Sequence, residues 1–145
     1  MTIVAIDLIP ALLSWEGRDR SGPPELAPDA VEAVTHLYSH YRLVGIADAG
    51  VAAATLIGPL DDVRLAELFE RLGTTAGYGP QVNARVIRRI TSHARSTHDV
   101  VFVTARESVA RTMGRSRMGV VLTTWADFGG VPEAVANVLA GRVSP

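Results

Sequence analysis

Two residue types are missing from this chain of 145 residues: it has no cysteine, and all 14 of its basic residues are arginine. The lack of cysteine excludes disulfides, thiolate metal sites and a cysteine nucleophile, and it fits a reducing compartment. The lack of lysine excludes Schiff-base chemistry, P-loop phosphate binding and the lysine that receiver domains and phosphatases place beside a phosphoryl group. No excess of either charge exists: the formal net charge is −1. A broad electrostatic attraction to nucleic acid is therefore not expected. Long apolar runs are absent too; none reaches the ~18 residues of a membrane span. The first residues are apolar but contain Asp7 and have no basic start. A strand and loop are expected there rather than a signal peptide, with a cytoplasmic location by default.

What is present is an ordinary globular composition, 48% hydrophobic and 20% charged. The length suits one domain spanning residues 1–145. Residues 2–8 form a short, β-branched apolar run, the pattern of a strand buried on both faces of a parallel sheet. Residues 13–26 read as a polar loop broken by Gly17, Gly22, Pro23 and Pro24. A helix is predicted over 28–40, with Ala30, Val31, Val34, Leu37 and Tyr38 on its apolar face. A second strand follows at 41–47. Helices are predicted at 51–57 and 61–72, split by Gly58-Pro59, with Asp61 and Asp62 at the second N-terminus. A short strand is read at 73–78 and an amphipathic helix at 82–95. Val100-Val101-Phe102-Val103 marks a strand over 99–104. A helix at 107–115, a strand at 118–122 and a helix at 131–139 complete the chain.

Strands thus alternate with helices throughout, which favours a three-layer Rossmann-like α/β domain with a five-stranded parallel sheet. Ligands of such sheets sit beyond the carboxyl ends of the strands. The strand ends here carry Asp7, Ala47-Asp48, Thr104-Ala105-Arg106 and Thr123-Thr124.

Those ends carry a resemblance to a known family. Val4-Ala5-Ile6-Asp7-Leu8-Ile9 looks like the first motif of the haloacid dehalogenase superfamily, an apolar strand followed by Asp-x-Asp. Glu25 to Val34 is similar to the helix that follows it. Leu43-Val44-Gly45-Ile46-Ala47-Asp48 stands where the second motif ends a strand in Ser or Thr, and Val100 to Ala105 stands at the fourth motif. The resemblance covers roughly the whole chain and implies such a fold with a minimal cap or none. It implies roles as well: an attacking Asp, a general-acid Asp two residues on, a Ser or Thr and a Lys on the phosphoryl group, and carboxylates that hold Mg²⁺ with the first Asp. On that scheme Asp7 keeps the nucleophile position, but Ile9 takes that of the general acid. Ala47 takes the Ser/Thr position, with the carboxylate of Asp48 beside it. The Lys position falls near Gln81. Ala105 occupies the principal metal-binding position, and the second acidic one falls near Ala110 or Arg111. Losing one electrostatic donor costs about 10²–10³ in rate; losing this many opposes the parent reaction.

Several residues have competing readings. Asp7 is either a surviving nucleophile or ligand contact, or a relic carboxylate that caps a turn or pairs with an Arg. Arg106, directly after the fourth motif's strand, is either a solvated helix-start residue or a guanidinium that pairs with Asp7 or Asp48 and replaces the lost cation. Trp15 lies in the loop where the family places a flap, and it either closes the vacant pocket or anchors a partner. Thr104 and Asp48 are ligand contacts if the crevice binds anything. His36 and His40 are four apart on one helix but lack a His-Glu-x-x-His arrangement; these two, with His93 and His98, read as surface residues. Ser14 and Ser108 have no visible triad partners. Arg85, Arg88, Arg89 and Arg95 on one helix, and Arg106, Arg111, Arg115 and Arg117 near another, read as solvated faces or as a surface for an acidic protein partner or an RNA backbone.

The expectation is a catalytically inactive haloacid dehalogenase-like domain acting in protein interaction or regulation. No cofactor is expected, no membrane and no nucleic acid; the partner is a protein, with self-association left open. The alternatives are an altered phosphohydrolase using Asp7 with Mg²⁺, and a small-ligand sensor at the strand-end crevice.

Overall fold

The computed structural model describes residues 2–15, 18–92, 94 and 97–143. The chain begins with β1 (Ile3–Asp7), a turn of helix α1 (Leu8–Ala11), and two short antiparallel strands, β2 (Leu13–Ser14) and β3 (Glu25–Leu26). It continues through α2 (Ala30–His40), β4 (Arg42–Ala47), α3 (Ala53–Asp61), β5 (Arg71–Thr74), α4 (Ala84–Ile90), β6 (Val100–Thr104), α5 (Glu107–Arg115), β7 (Gly119–Leu122) and α6 (Val131–Val143). The main sheet has five parallel strands in the order β5-β4-β1-β6-β7.

Every residue of β1 is buried, because β1 is the central strand and helices cover both faces. Alternate side chains point to opposite sides. Val4 and Ile6 pack with α2, α3 and α6 through Val34, Leu37, Leu56, Leu60 and Val135. Ile3 and Ala5 pack with α4 and α5 through Val86, Ile87, Ile90 and Met113. The expected three-layer architecture is what the chain adopts.

Gly45 in β4 is closely approached by side chains of the α2–α3 side. A Cβ there would lie 2.8 Å from Leu72 Cδ1, 2.9 Å from Leu8 Cδ2 and 3.2 Å from Phe69 Cε1. Any side chain there requires these neighbouring side chains to shift.

Two stretches differ from the sequence reading. Residues 13–26 were expected to be loop throughout, yet Leu13–Ser14 and Glu25–Leu26 pair into a small hairpin. Its base is held by the Trp125 indole, which donates to the carbonyl of Glu25 at 3.0 Å. The second predicted helix, 61–72, does not form. Helix α3 runs through Gly58 and Pro59, so Asp61 and Asp62 stand at its C-terminal end. The chain then turns through Arg64, which takes a left-handed φ of 61°, and through a single 3₁₀ turn at Ala66–Leu68. Strand β5 therefore begins at Arg71, two residues before the predicted strand. It pairs with β4 and forms one edge of the sheet, and that backbone pairing outweighs a helical spacing of apolar residues. Helix α4 begins at Ala84 rather than 82 because Asn83 caps it, accepting the Val86 N–H at 3.0 Å, and it ends at Ile90, short of the predicted 95. No helix among the described residues is long and apolar enough to cross a membrane.

Candidate functional site

The chain runs outward from β1 to β4 and β5, then returns to β6 on the other side of β1. Such a reversal, here at the carboxyl ends of β1 and β6, is the usual ligand position in open α/β sheets. Asp7 closes β1 and Thr104 closes β6; both are fully buried. Asp48 follows β4 directly, and Arg106 sits as the N-cap residue of α5.

The structure brings these four residues into one cluster. Arg106 grips Asp7 with a fork: Nε donates to Oδ2 and Nη2 to Oδ1, each at 2.8 Å. Its Nη1 reaches Oδ2 of Asp48 at 2.8 Å, and Nη2 lies 3.4 Å from Oδ1. Thr104 donates its hydroxyl to Asp7 Oδ2 at 2.7 Å and accepts the Arg106 N–H at 3.0 Å. The Val82 N–H donates to Asp48 Oδ1 at 2.8 Å. All four carboxylate oxygens thus accept hydrogen bonds from the chain itself. No buried side-chain polar atom among the described residues lacks a partner. Charge-assisted forks of this kind are among the stronger contacts in proteins.

The electrostatics follow from burial and pairing. Burial pushes the Asp7 carboxyl above its ordinary value, and the Arg106 contacts and the Thr104 hydroxyl offset this only in part. Burial acts the same way on Asp48, but there the Arg106 hydrogen bond, the Val82 N–H and the Arg106 charge outweigh it, so its carboxyl lies below the ordinary range. Burial disfavours charge on Arg106, yet its hydrogen bonds and attraction to Asp7 and Asp48 prevail and hold the guanidinium more firmly charged than usual.

Solved structures share this architecture. A haloacid dehalogenase-like hydrolase from Streptococcus pneumoniae superimposes with a TM-score of 0.66 at 14% identity, over 95% of this chain and 90% of the other. The fold is haloacid dehalogenase-like. A haloacid dehalogenase-like family hydrolase from Xanthomonas campestris matches with a TM-score of 0.66 at 18% identity. It is matched over 83% of this chain, which spans 59% of the Xanthomonas chain. A superfamily hydrolase of subfamily IA from Geobacter sulfurreducens gives 0.64 at 11% identity, over 84% of this chain and 89% of that one. At such identities the likeness is one of fold. No family model and no curated protein matches the sequence.

On this haloacid dehalogenase-like scaffold the other positions singled out in the sequence are apolar or lie on the surface. Ile9 is half-buried and packs against the core. Ala47 is buried and Gln81 is exposed. Ala105 carries no donor, and Arg111 is exposed. Among the described residues no group of three or more His, Asp or Glu side chains is arranged to hold a metal ion. A hard dication needs several free oxygen ligands. Here a guanidinium already occupies both carboxylates, so the residues present do not fit Mg²⁺.

Trp15 lies outside the cluster. Its indole donates to the Gly22 carbonyl at 2.8 Å, with the Arg20 guanidinium 5.6 Å from the ring centroid. His36 and His40 are exposed neighbours, ring centroids 5.1 Å apart; His93, Arg95 and the side chain of His98 lie outside the described residues. Ser14 is buried within β2, and the Ser108 carbonyl accepts the Thr112 hydroxyl at 3.0 Å. Arg85, Arg88 and Arg89 are exposed on α4, as are Arg111 and Arg115 on α5 and Arg117 after it. The sequence reading missed the Val82 amide, whose partner is 34 residues away and leaves no local signal. It also missed a cavity between the hairpin and α3, although the small residues of 50–58 mark one of its walls.

Proposed function

We propose that this domain is a non-catalytic member of the haloacid dehalogenase-like fold, acting through protein binding or regulation. One observation carries this reading: the guanidinium of Arg106 bridges Asp7 and Asp48 at 2.8 Å. A nucleophilic carboxylate must present an oxygen to phosphorus, and it must be free of tight pairing to do so. Asp7 is fully buried, and its lone pairs face Arg106 and Thr104. Ile9 supplies no proton to a leaving group. Phosphoryl oxygens meet two carboxylates and one guanidinium whose nitrogens are committed to those carboxylates, an arrangement that repels an anion. No Mg²⁺ is needed for structure, because Arg106 already provides the positive charge.

The test is a phosphatase screen with Mg²⁺ on the wild-type chain and on Asp7→Asn, together with calorimetric titration of Mg²⁺. No turnover above background and no heat of binding are expected. Turnover that Asp7→Asn abolishes would reinstate the hydrolase reading.

A further inference from the structure

The formal net charge of −1 conceals a separation of charge that the fold creates. Between Glu70 and Asp99 the chain has five arginines and no acidic residue; between Glu107 and Asp127 it has three arginines and again no acid. These stretches carry α4 and α5, which lie on one side of the sheet against Ile3 and Ala5. The opposite layer, of α2, α3 and α6, exposes acids instead, at Asp29, Glu32, Asp61, Asp62 and Glu133. One broad face is therefore basic and the other acidic.

The basic face is built on packed helices. Helix α4 buries Val86, Ile87 and Ile90 and turns Arg85, Arg88 and Arg89 to solvent. Helix α5 buries Met113 and exposes Arg111 and Arg115, one turn apart. Among the described residues none of Arg85, Arg88, Arg111 and Arg115 forms an ion pair. Glu16 is the one acidic residue of the chain outside the described residues. Helix stability does not account for this clustering. Like charges three or four residues apart destabilise a helix, and Arg85 stands so to Arg88 and Arg89, as Arg111 does to Arg115. Arg88, Arg89 and Arg115 suit the negative C-terminal ends of their helices, but Arg85 is in the first turn of α4, where the helix dipole disfavours a cation. A bound polyanion relieves both costs.

Guanidinium groups pair with carboxylates and phosphates alike. Sites for single-stranded nucleic acid add aromatic rings on which bases stack. Tyr78 on this side is already engaged: the Arg89 guanidinium lies 5.4 Å from its ring centroid, and its hydroxyl accepts from Arg71 at 2.9 Å. A long nucleic acid is also opposed by the acidic layer behind the sheet. A short acidic peptide needs no stacking surface and covers this face alone. We propose that the α4–α5 face binds an Asp- and Glu-rich segment of a partner protein. This rests on the protein-binding reading above and names the chemistry of the partner.

Fluorescence anisotropy with the full chain tests the proposal. The ligands are a labelled oligoglutamate peptide, an oligolysine peptide of equal length, and single-stranded and duplex oligonucleotides of matched charge. The oligoglutamate binds, the oligolysine binds this face no better in the variants than in wild type, and salt weakens the oligoglutamate complex. The double variants Arg85→Glu with Arg88→Glu, and Arg111→Glu with Arg115→Glu, each weaken it roughly tenfold or more. Arg20→Glu with Arg64→Glu makes the same change in net charge away from α4 and α5 and leaves binding as in wild type. Circular dichroism confirms that each variant is folded. No oligoglutamate binding at low salt overturns the proposal. So does binding that the α4 and α5 variants retain, or a loss just as large in the Arg20 and Arg64 variant. Tighter binding of either oligonucleotide overturns it too and assigns the face to nucleic acid. Phosphatase and Mg²⁺ measurements bear on the Asp7 cluster, so the non-catalytic reading can stand where this one fails.

Discussion

Replacing Arg106 with alanine removes the cation from a buried carboxylate. Asp7 is 0% exposed, and without Arg106 it keeps only the Thr104 hydroxyl as a donor. Breaking a buried ion pair by deleting one partner costs about 3–5 kcal/mol. The Arg106 side chain is 28% exposed, so water can partly replace it, and the lower end, about 3 kcal/mol, is the expectation. With a urea slope of about 2 kcal/mol per molar, the unfolding midpoint near neutral pH falls by roughly 1.5 M. The pH profile supplies the sharper readout. Without Arg106, the contacts that offset burial are lost and the folded-state carboxyl of Asp7 rises further above its unfolded value. A carboxyl raised in the folded state keeps its stability below the unfolded value and loses it as pH rises through the folded one. The deficit of the variant relative to wild type is therefore largest near neutral pH and narrows toward pH about 4. Urea titrations of both proteins across that range measure it. An unchanged midpoint near neutral pH, or a deficit that does not vary with pH, would show that Arg106 does not neutralise Asp7.

Two further outcomes are expected. Asp48 has a carboxyl held below its ordinary value, so its contribution is present above the unfolded value of about 4 and is lost as pH falls through the lower folded one; Asp48→Asn should be less stable than wild type at neutral pH and converge with it in acid, as read from denaturation midpoints. Gly45→Ala forces a methyl group against Leu72, Leu8 and Phe69, so it should cost about 1–3 kcal/mol and lower the melting temperature by several degrees in calorimetry.

Much of the fold was legible because the strands of a doubly covered parallel sheet are continuous apolar runs. Strands β1, β4, β6 and β7 lie where the apolar runs put them, and helices α2, α5 and α6 form where helices were expected, with α6 running on to Val143. The stretch from Asp61 to Thr74 was not legible, and the reasons are physical. Leu65, Phe69 and Leu72 are spaced as on a helix, but the break comes from Arg64 in a left-handed conformation that Gly or Asn more commonly marks. An edge strand of four residues, with one exposed and three half-buried, gives a weak pattern of its own. The site was legible in its members but not in its wiring. The ends of β1, β4 and β6 pointed to Asp7, Asp48, Thr104 and Arg106. That Thr104 turns inward to bind Asp7, rather than outward to a ligand, depends on a pairing between residues 97 apart in the chain.

The shared guanidinium also constrains how this cluster can change by single substitutions. A metal between Asp7 and Asp48 requires the removal of Arg106, yet that step alone strands a carboxylate inside the sheet before any replacement ligand exists, since Ala105 and Ile9 offer none. Adding an acidic residue first places a third negative charge around one cation. Either first step lowers stability, so the present arrangement works as a ratchet: simple to keep, and costly to leave one residue at a time.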